Sequence, residues 1–230
     1  VRRQEAVREL ESFTQLRQHF YVTGILHPGN QSDQQLITLL GKAAPCLINS
    51  KIWKLLIYLI PSIWLLIAIG CALNLLPISI AGVFFGLSFI VAYINAKQIT
   101  MVHNSLDKME QILHTYSNLI KCIEGESFQS AELADIHQRF ASDGQTASSI
   151  IKKLSGHIGA LNQRFSTIGV ILNIFTLRDT RMAMKLEKWK LEHGDDTERW
   201  FEALALFDAY CSLGGFAFNH PEYILSLIHI

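Results

Sequence analysis

The chain has 230 residues, long enough for one or two domains with a real core. Charged residues make up only 17 % of it, below the roughly 25 % of ordinary soluble domains. Basic and acidic residues balance at 20 each, so no overall positive field would steer the chain to nucleic acid.

The first stretch, RRQEAVRELESFTQLRQHFYVTGIL, reads as one helix with a partial stripe at Val7, Leu10, Phe13 or Thr14, and Arg17, stopping near Gly24. HPGNQSD (27–33) is a loop, and a short helix over Asp33–Lys42 follows.

The charge deficit is local. From Leu55 to Ala96 the sequence holds 42 residues without one charged side chain. One membrane span needs about 20 residues, so the run suits two spans, expected at 52–73 and 76–95, with Asn74 and Pro77 in the turn. Pro61 would kink the first, and GVFFG (Gly82, Gly86) offers a small-residue pair where a partner helix can approach. Trp53, Tyr58 and Tyr93 lie towards the open ends, as in an interfacial belt. Lys51, Lys54 and Lys97 flank the open ends while the connecting loop is uncharged. By the positive-inside rule both arms would be cytoplasmic, on a protein of the inner (cytoplasmic) membrane with 52–95 in lipid. The alternative is a hairpin buried inside a large soluble core, which would need protein on every face.

Beyond the apolar run, Ile99, Val102, Leu106, Met109, Leu113, Tyr116, Ile120 and Ile123 are spaced 3-4-3-4-3-4-3, a heptad seam that Gly125 should end. Ser130 is placed to cap a short helix carrying Leu133, Ile136 and Phe140. A second seam runs Ile151, Leu154, Ile158, Leu161, Phe165, Ile168, Leu172 and Phe175. It is expected to continue through Met182, Leu186 and Trp189 to Gly194, one long lever over 146–193. Asp195-x-x-Glu198 has capping-box spacing for a last helix with Trp200, Leu204, Phe207, Cys211 and Gly214, broken at Gly214-Gly215-Phe216. No alternating run suggests a sheet, so the fold class is all-α: long, coiled-coil-like helices and an apolar helical hairpin.

Motifs for catalysis are missing. Gly41-Lys42 is followed by Ala43, without a glycine-rich approach, and no GxSxG or HExxH occurs. The cysteines, Cys46, Cys71, Cys122 and Cys211, show no CxxC spacing and suit reduced, buried thiols. No catalytic, cofactor-binding or metal-ligating residue is expected in this chain, and no DNA-contacting residue is assigned.

The segment 186–223, LEKWKLEHGDDTERWFEALALFDAYCSLGGFAFNHPEY, resembles the helical core of MutS-type DNA mismatch-repair ATPases, in the MutS-related branch with membrane spans. The likeness lies in Trp189 at the end of a long helix and in the run Trp200, Leu204, Asp208, Ala209, Ser212 and Leu213. It continues in Phe216, Ala217, Asn219, Pro221 and Tyr223. RRQEAVREL, LRQHF, GESFQSAEL and the SSIIKKL–LNQR stretch are similar to other parts of that core. The resemblance implies a core and levers that couple ATP state to a clamp on mismatched or branched DNA, usually in a homodimer. ATP and Mg would be held by a C-terminal domain beyond this chain. The residues carrying the likeness are packing positions, not catalytic ones.

The expected organisation is a helical core segment (1–50), the hairpin (51–96), a helical core and lever domain (97–224), and a tail, LSLIHI (225–230), which resembles read-through of a sequencing-library adapter. Val1 opens within a helical pattern, so a fragment cut at both ends is expected. The alternative function is a non-enzymatic membrane scaffold whose seams pair with a partner.

Overall fold

The structure, a computed structural model, describes residues 1–25, 50–94, 109–142, 144–163 and 166–223. The expected helix at 33–42, the first seam positions Ile99, Val102 and Leu106, and the tail at 225–230 lie outside the described residues. Nearly all of the described chain is helical, which agrees with the all-α class: α1 (Arg2–Ser12), α2 (Thr14–Ile25), α3 (Lys51–Ala72), α4 (Ile78–Ile94), α5 (Met109–Glu124), α6 (Ala131–Arg139), α7 (Ala147–Asn162), α8 (Thr167–Thr176) and α9 (Arg178–Asn219). The chain divides into two compact units, 1–37 with 111–155 and 194–230, and 38–110 with 156–193.

The first unit is a helical core. The heptad positions Leu113, Ile120 and Ile123 are buried, as are Leu133, Ile136, Phe140, Ile151 and Leu154. Trp200 and Phe207 of α9 are fully buried, with Phe207 in edge contact with Phe20 and Phe128 (centroids 5.3 and 5.8 Å). The N-terminal stretch is two helices, not one. The break falls at Phe13, whose ring meets Phe128, while Arg17 Nη2 donates to the freed carbonyl of Glu11 at 3.0 Å. Ser130 does start α6, but its hydroxyl makes no cap. The carboxylate of Glu9 takes that role, accepting from the Gln129 and Ser130 amides at 2.7 and 2.8 Å.

One small β element was not expected. Ala141–Ser142 pairs antiparallel with Gln145–Thr146 across Gly144 at φ +75°. The Asp143-Gly144 dipeptide is the local signal for such a turn.

The expected lever over 146–193 is three helices. α7 ends at Asn162, Ser166 caps a new helix by accepting from the Gly169 amide, and Leu177 in the left-handed region (φ 48°) separates α8 from α9. The seam is in phase across these breaks, so periodicity alone could not reveal them. In the other direction, neither Gly194 nor Gly214-Gly215 stops a helix, and Asp195 and Glu198 lie inside α9 rather than at a start. The cause is burial. Leu186, Trp189, Thr197, Trp200, Leu204, Phe207, Cys211 and Gly214 form one covered stripe at helical spacing. Packing on that scale outweighs the ~1 kcal/mol that a helical glycine costs.

Candidate membrane-facing site

The second unit concentrates the apolar sequence. α3 and α4 fall within two residues of the expected spans and pack against each other. Their turn is closed as the sequence implies. Asn74 takes φ +56°, its amide reaches the Cys71 carbonyl at 3.1 Å, and the Leu75 amide reaches Gly70 at 2.9 Å. This is the bonding of a Schellman stop, with Asn in the left-handed position. Leu76 folds onto Gly70, where a Cβ would stand only 2.5 Å from its Cδ1, so a larger residue at 70 would displace the Leu76 side chain.

Pro61 sits inside α3 and has no N–H, which leaves the Ile57 carbonyl without its helical donor. Arg181 of α9 fills the gap, Nη2 donating to that carbonyl at 3.1 Å. The Tyr58 carbonyl receives the Ser62 hydroxyl at 2.8 Å. Ile57 and Ile60 close over Leu177, with Leu56, Trp64, Val91, Ala92 and Met184 at the margin.

Trp64 is the centre of an aromatic group. Phe84 and Phe175 lie at centroid distances of 5.3 and 4.4 Å, and its indole N–H donates to the Ser88 hydroxyl at 3.2 Å. That bond accounts for Ser88 being buried in an apolar helix. Phe175 brings in α8, which packs on both α3 and α4, so the apolar unit has three helices where the sequence suggested two. The glycine pair, Gly82 and Gly86, does not serve the approach expected of it. No atom from outside the local backbone lies within 4 Å of where either Cβ would stand, and α3 and α4 meet through Trp64 and Ser88 instead.

The outer surface of α3 and α4 is apolar. On α3, Ile52, Leu55, Leu65, Leu66 and Ile69 are exposed. On α4, Val83, Leu87 and Ile90 are exposed. Two helices among the described residues are long and apolar enough to cross a membrane: α3, mean hydropathy 2.4, and α9, mean hydropathy 1.2. Burial separates them. Only 22 % of the apolar window of α3 is covered against 39 % for α9, whose Trp200 and Phe207 are buried in the core of the first unit. α4, with 17 residues, is slightly shorter than the usual span.

Polar clusters elsewhere are structural. Glu124 caps α7, bonding the Ser148 amide (3.2 Å) and hydroxyl, while the Ser117 hydroxyl donates to the Ser148 carbonyl at 2.8 Å. In the second unit Asn162 Nδ2 donates to Glu110 Oε2 at 2.8 Å, and Gly159 leaves room for that carboxylate. Cys122 Sγ lies 3.2 Å from His19 Nδ1, but burial pushes the thiol up, the reverse of an activated nucleophile. Among the described residues no three His, Cys, Asp or Glu side chains gather as metal ligands. The Trp189 and Trp200 positions of the resemblance are buried, whereas Asp208, Ala209, Ser212, Leu213 and Phe216 are exposed. No family model, curated protein or solved structure matches this chain.

Proposed function

We propose that this chain is the anchor and helical core of a membrane-tethered, MutS-related DNA-binding ATPase. α3 and α4 would span the bilayer as a hairpin of the inner membrane, with both helical arms on the cytoplasmic side. The observation that carries the anchor is the three-helix apolar unit, which leaves large aliphatic side chains uncovered around α3 and α4 and no charge between Leu55 and Ala96. In water such a surface would exceed what a soluble protein tolerates. In lipid it is the ordinary solvent-facing side.

The DNA-binding part of the reading rests on the sequence likeness. The burial of Trp189 and Trp200 supports their reading as packing residues of a helical core. ATP and Mg would belong to a further domain, and this chain would transmit its state, usually within a homodimer. A coiled-coil scaffold is less favoured, because Leu113, Ile120 and Ile123 of the α5 seam are spent on the chain's own core and are not free for a partner.

Two measurements test the reading. Carbonate-washed membranes should retain the expressed chain, and its appearance in the soluble fraction removes the anchor. The extended gene should encode a phosphate-binding glycine loop downstream, and its product should hydrolyse ATP in a DNA-stimulated way. An open reading frame closing without that loop removes the ATPase.

A further inference from the structure

The stretch between Gln163 and Arg178 has features that neither a soluble helix nor a full span explains. The residues that flank it are bridged through their long side chains, Arg178 Nη2 donating to Gln163 Oε1 at 3.0 Å. Between Arg164 and Arg178 the sequence has 13 uncharged residues. The 10 residues of α8 make a rod of about 15 Å, half of a hydrocarbon layer of about 30 Å. An apolar run of this length is a core helix, an interfacial helix or a re-entrant one.

Burial and polarity choose among them. A core helix is covered, but Ile168 is 71 % exposed and Val170, Ile171 and Leu172 are 43–48 % exposed. An interfacial helix needs a charged face, and α8 has none. Its polar side chains bond locally instead. Ser166 Oγ accepts from the Gly169 amide at 3.0 Å, Thr176 Oγ1 donates to the Leu172 carbonyl at 2.7 Å, and Asn173 Oδ1 accepts from the Asp179 amide at 3.0 Å. Such internal satisfaction is what a medium without water demands.

We propose that Ser166–Leu177 is a re-entrant membrane helix, seated on the α3–α4 hairpin and entering the bilayer from the side where α3 begins. Phe175 rests on Trp64 and Phe85, and Leu177, in the left-handed region, ends α8 beside Ile57 and Ile60, in the second and third turns of α3. The occupant of the outer face of α8 is lipid: the acyl chains of that leaflet would meet Ile168, Ile171 and Leu172, continuous with the apolar surface of the hairpin. The inference rests on the anchor reading of α3 and α4.

The unaltered chain tests it. In phosphatidylcholine vesicles carrying a diazirine either near the headgroup or at the acyl terminus, trypsin cleavage at Arg164 and Arg178 isolates the segment for mass spectrometry. The expected result is labelling of this peptide by the shallow probe, with loss of label from the terminal probe, while α4 is labelled by both. Labelled α4 with an unlabelled 165–178 peptide overturns the re-entrant helix and leaves the anchor standing. Strong labelling from the acyl terminus overturns it as well. If neither segment is labelled, the anchor and this inference fall together. Sidedness gives a second reading: Gln163→Cys and Lys185→Cys should react with an impermeant maleimide from one face, and Leu75→Cys from the other. Opposite-face reaction of the first two would mean a crossing and overturn the proposal.

Discussion

Arg181 donates to the carbonyl of Ile57, and Ile57 is four residues before Pro61. A guanidinium on one helix thus replaces the backbone N–H that proline removes from another. The pairing predicts a specific coupling. Arg181→Met keeps most of the aliphatic stem but leaves the carbonyl unpaired, a loss of about 1–3 kcal/mol. Pro61→Ala restores the native donor within α3. The Arg181→Met penalty should therefore shrink by at least half in the Pro61→Ala background, measured by reversible unfolding in mixed micelles. Equal penalties in both backgrounds would show that Arg181 acts through something other than this carbonyl.

Glu9 ties α1 to the start of α6, and its charge matters. Burial by itself raises this carboxyl, but the Ser130 side chain and the Gln129 and Ser130 amides outweigh it and hold it below the usual carboxylate value. A depressed folded value gives stability that is complete above the unfolded pKa of about 4.3 and is lost as pH falls through the folded one. Glu9→Gln should remove this acid-side loss and lower hydrogen-exchange protection at the Ser130 amide roughly fivefold at pH 7, as expected for a lost cap of ~1 kcal/mol. Protection unchanged by the substitution would refute the cap.

The described cysteines differ in how far they are protected. Burial, with Asp208 adding to it, pushes the Cys211 thiol up to about 12. At pH 7.5 it should present roughly three orders of magnitude less thiolate than a free cysteine. Maleimide labelling followed by peptide mapping should therefore find Cys211 silent in the folded chain and fully reactive after denaturation. Cys122, raised by burial but only half covered, should react slowly. Early labelling of Cys211 would mean that the α9 stripe is not packed as described.

Much of the helical content was legible in the sequence, because two periodicities and one uncharged run are strong signals. The α3–α4 turn was legible in detail, since Asn74 is among the few residue types that accept the left-handed region. The errors have a common origin. Gly194 and Gly214-Gly215 carry local stop signals, and only the three-dimensional core shows that burying Trp200 and Phe207 overrides them. Conversely, the seam from Ile151 through Phe175 to Trp189 stays in phase across the cap at Ser166 and the break at Leu177, so its period conceals two breaks. α8 was missed as part of the apolar unit for that reason. The signal that could have found it is the second uncharged run, 165–177, bracketed by arginines. In the same way, Arg181 has no sequence mark linking it to Pro61, because the two are joined only by folding.

Gly214 gives the last prediction, since it shows why α9 tolerates glycine at its buried face. A Cβ there would stand 3.1 Å from Leu10 Cβ and 3.3 Å from the backbone of Leu10 and Glu11. The obstacle is the α1 main chain, which cannot turn aside as a side-chain tip can. Gly214→Ala therefore sets a helix-propensity gain of up to ~1 kcal/mol against a shift of a few tenths of an ångström in α1. Gly214→Val has no such balance: it adds bulk where there is no room and loses the propensity gain, so overpacking should cost about 1–3 kcal/mol. Chemical denaturation followed by far-ultraviolet circular dichroism would measure both variants. Gly194→Ala is the control, because nothing lies within 4 Å of its Cβ position and it should be neutral or stabilising. A Gly214→Val chain as stable as the parent would show that α1 does not rest on α9 at this point.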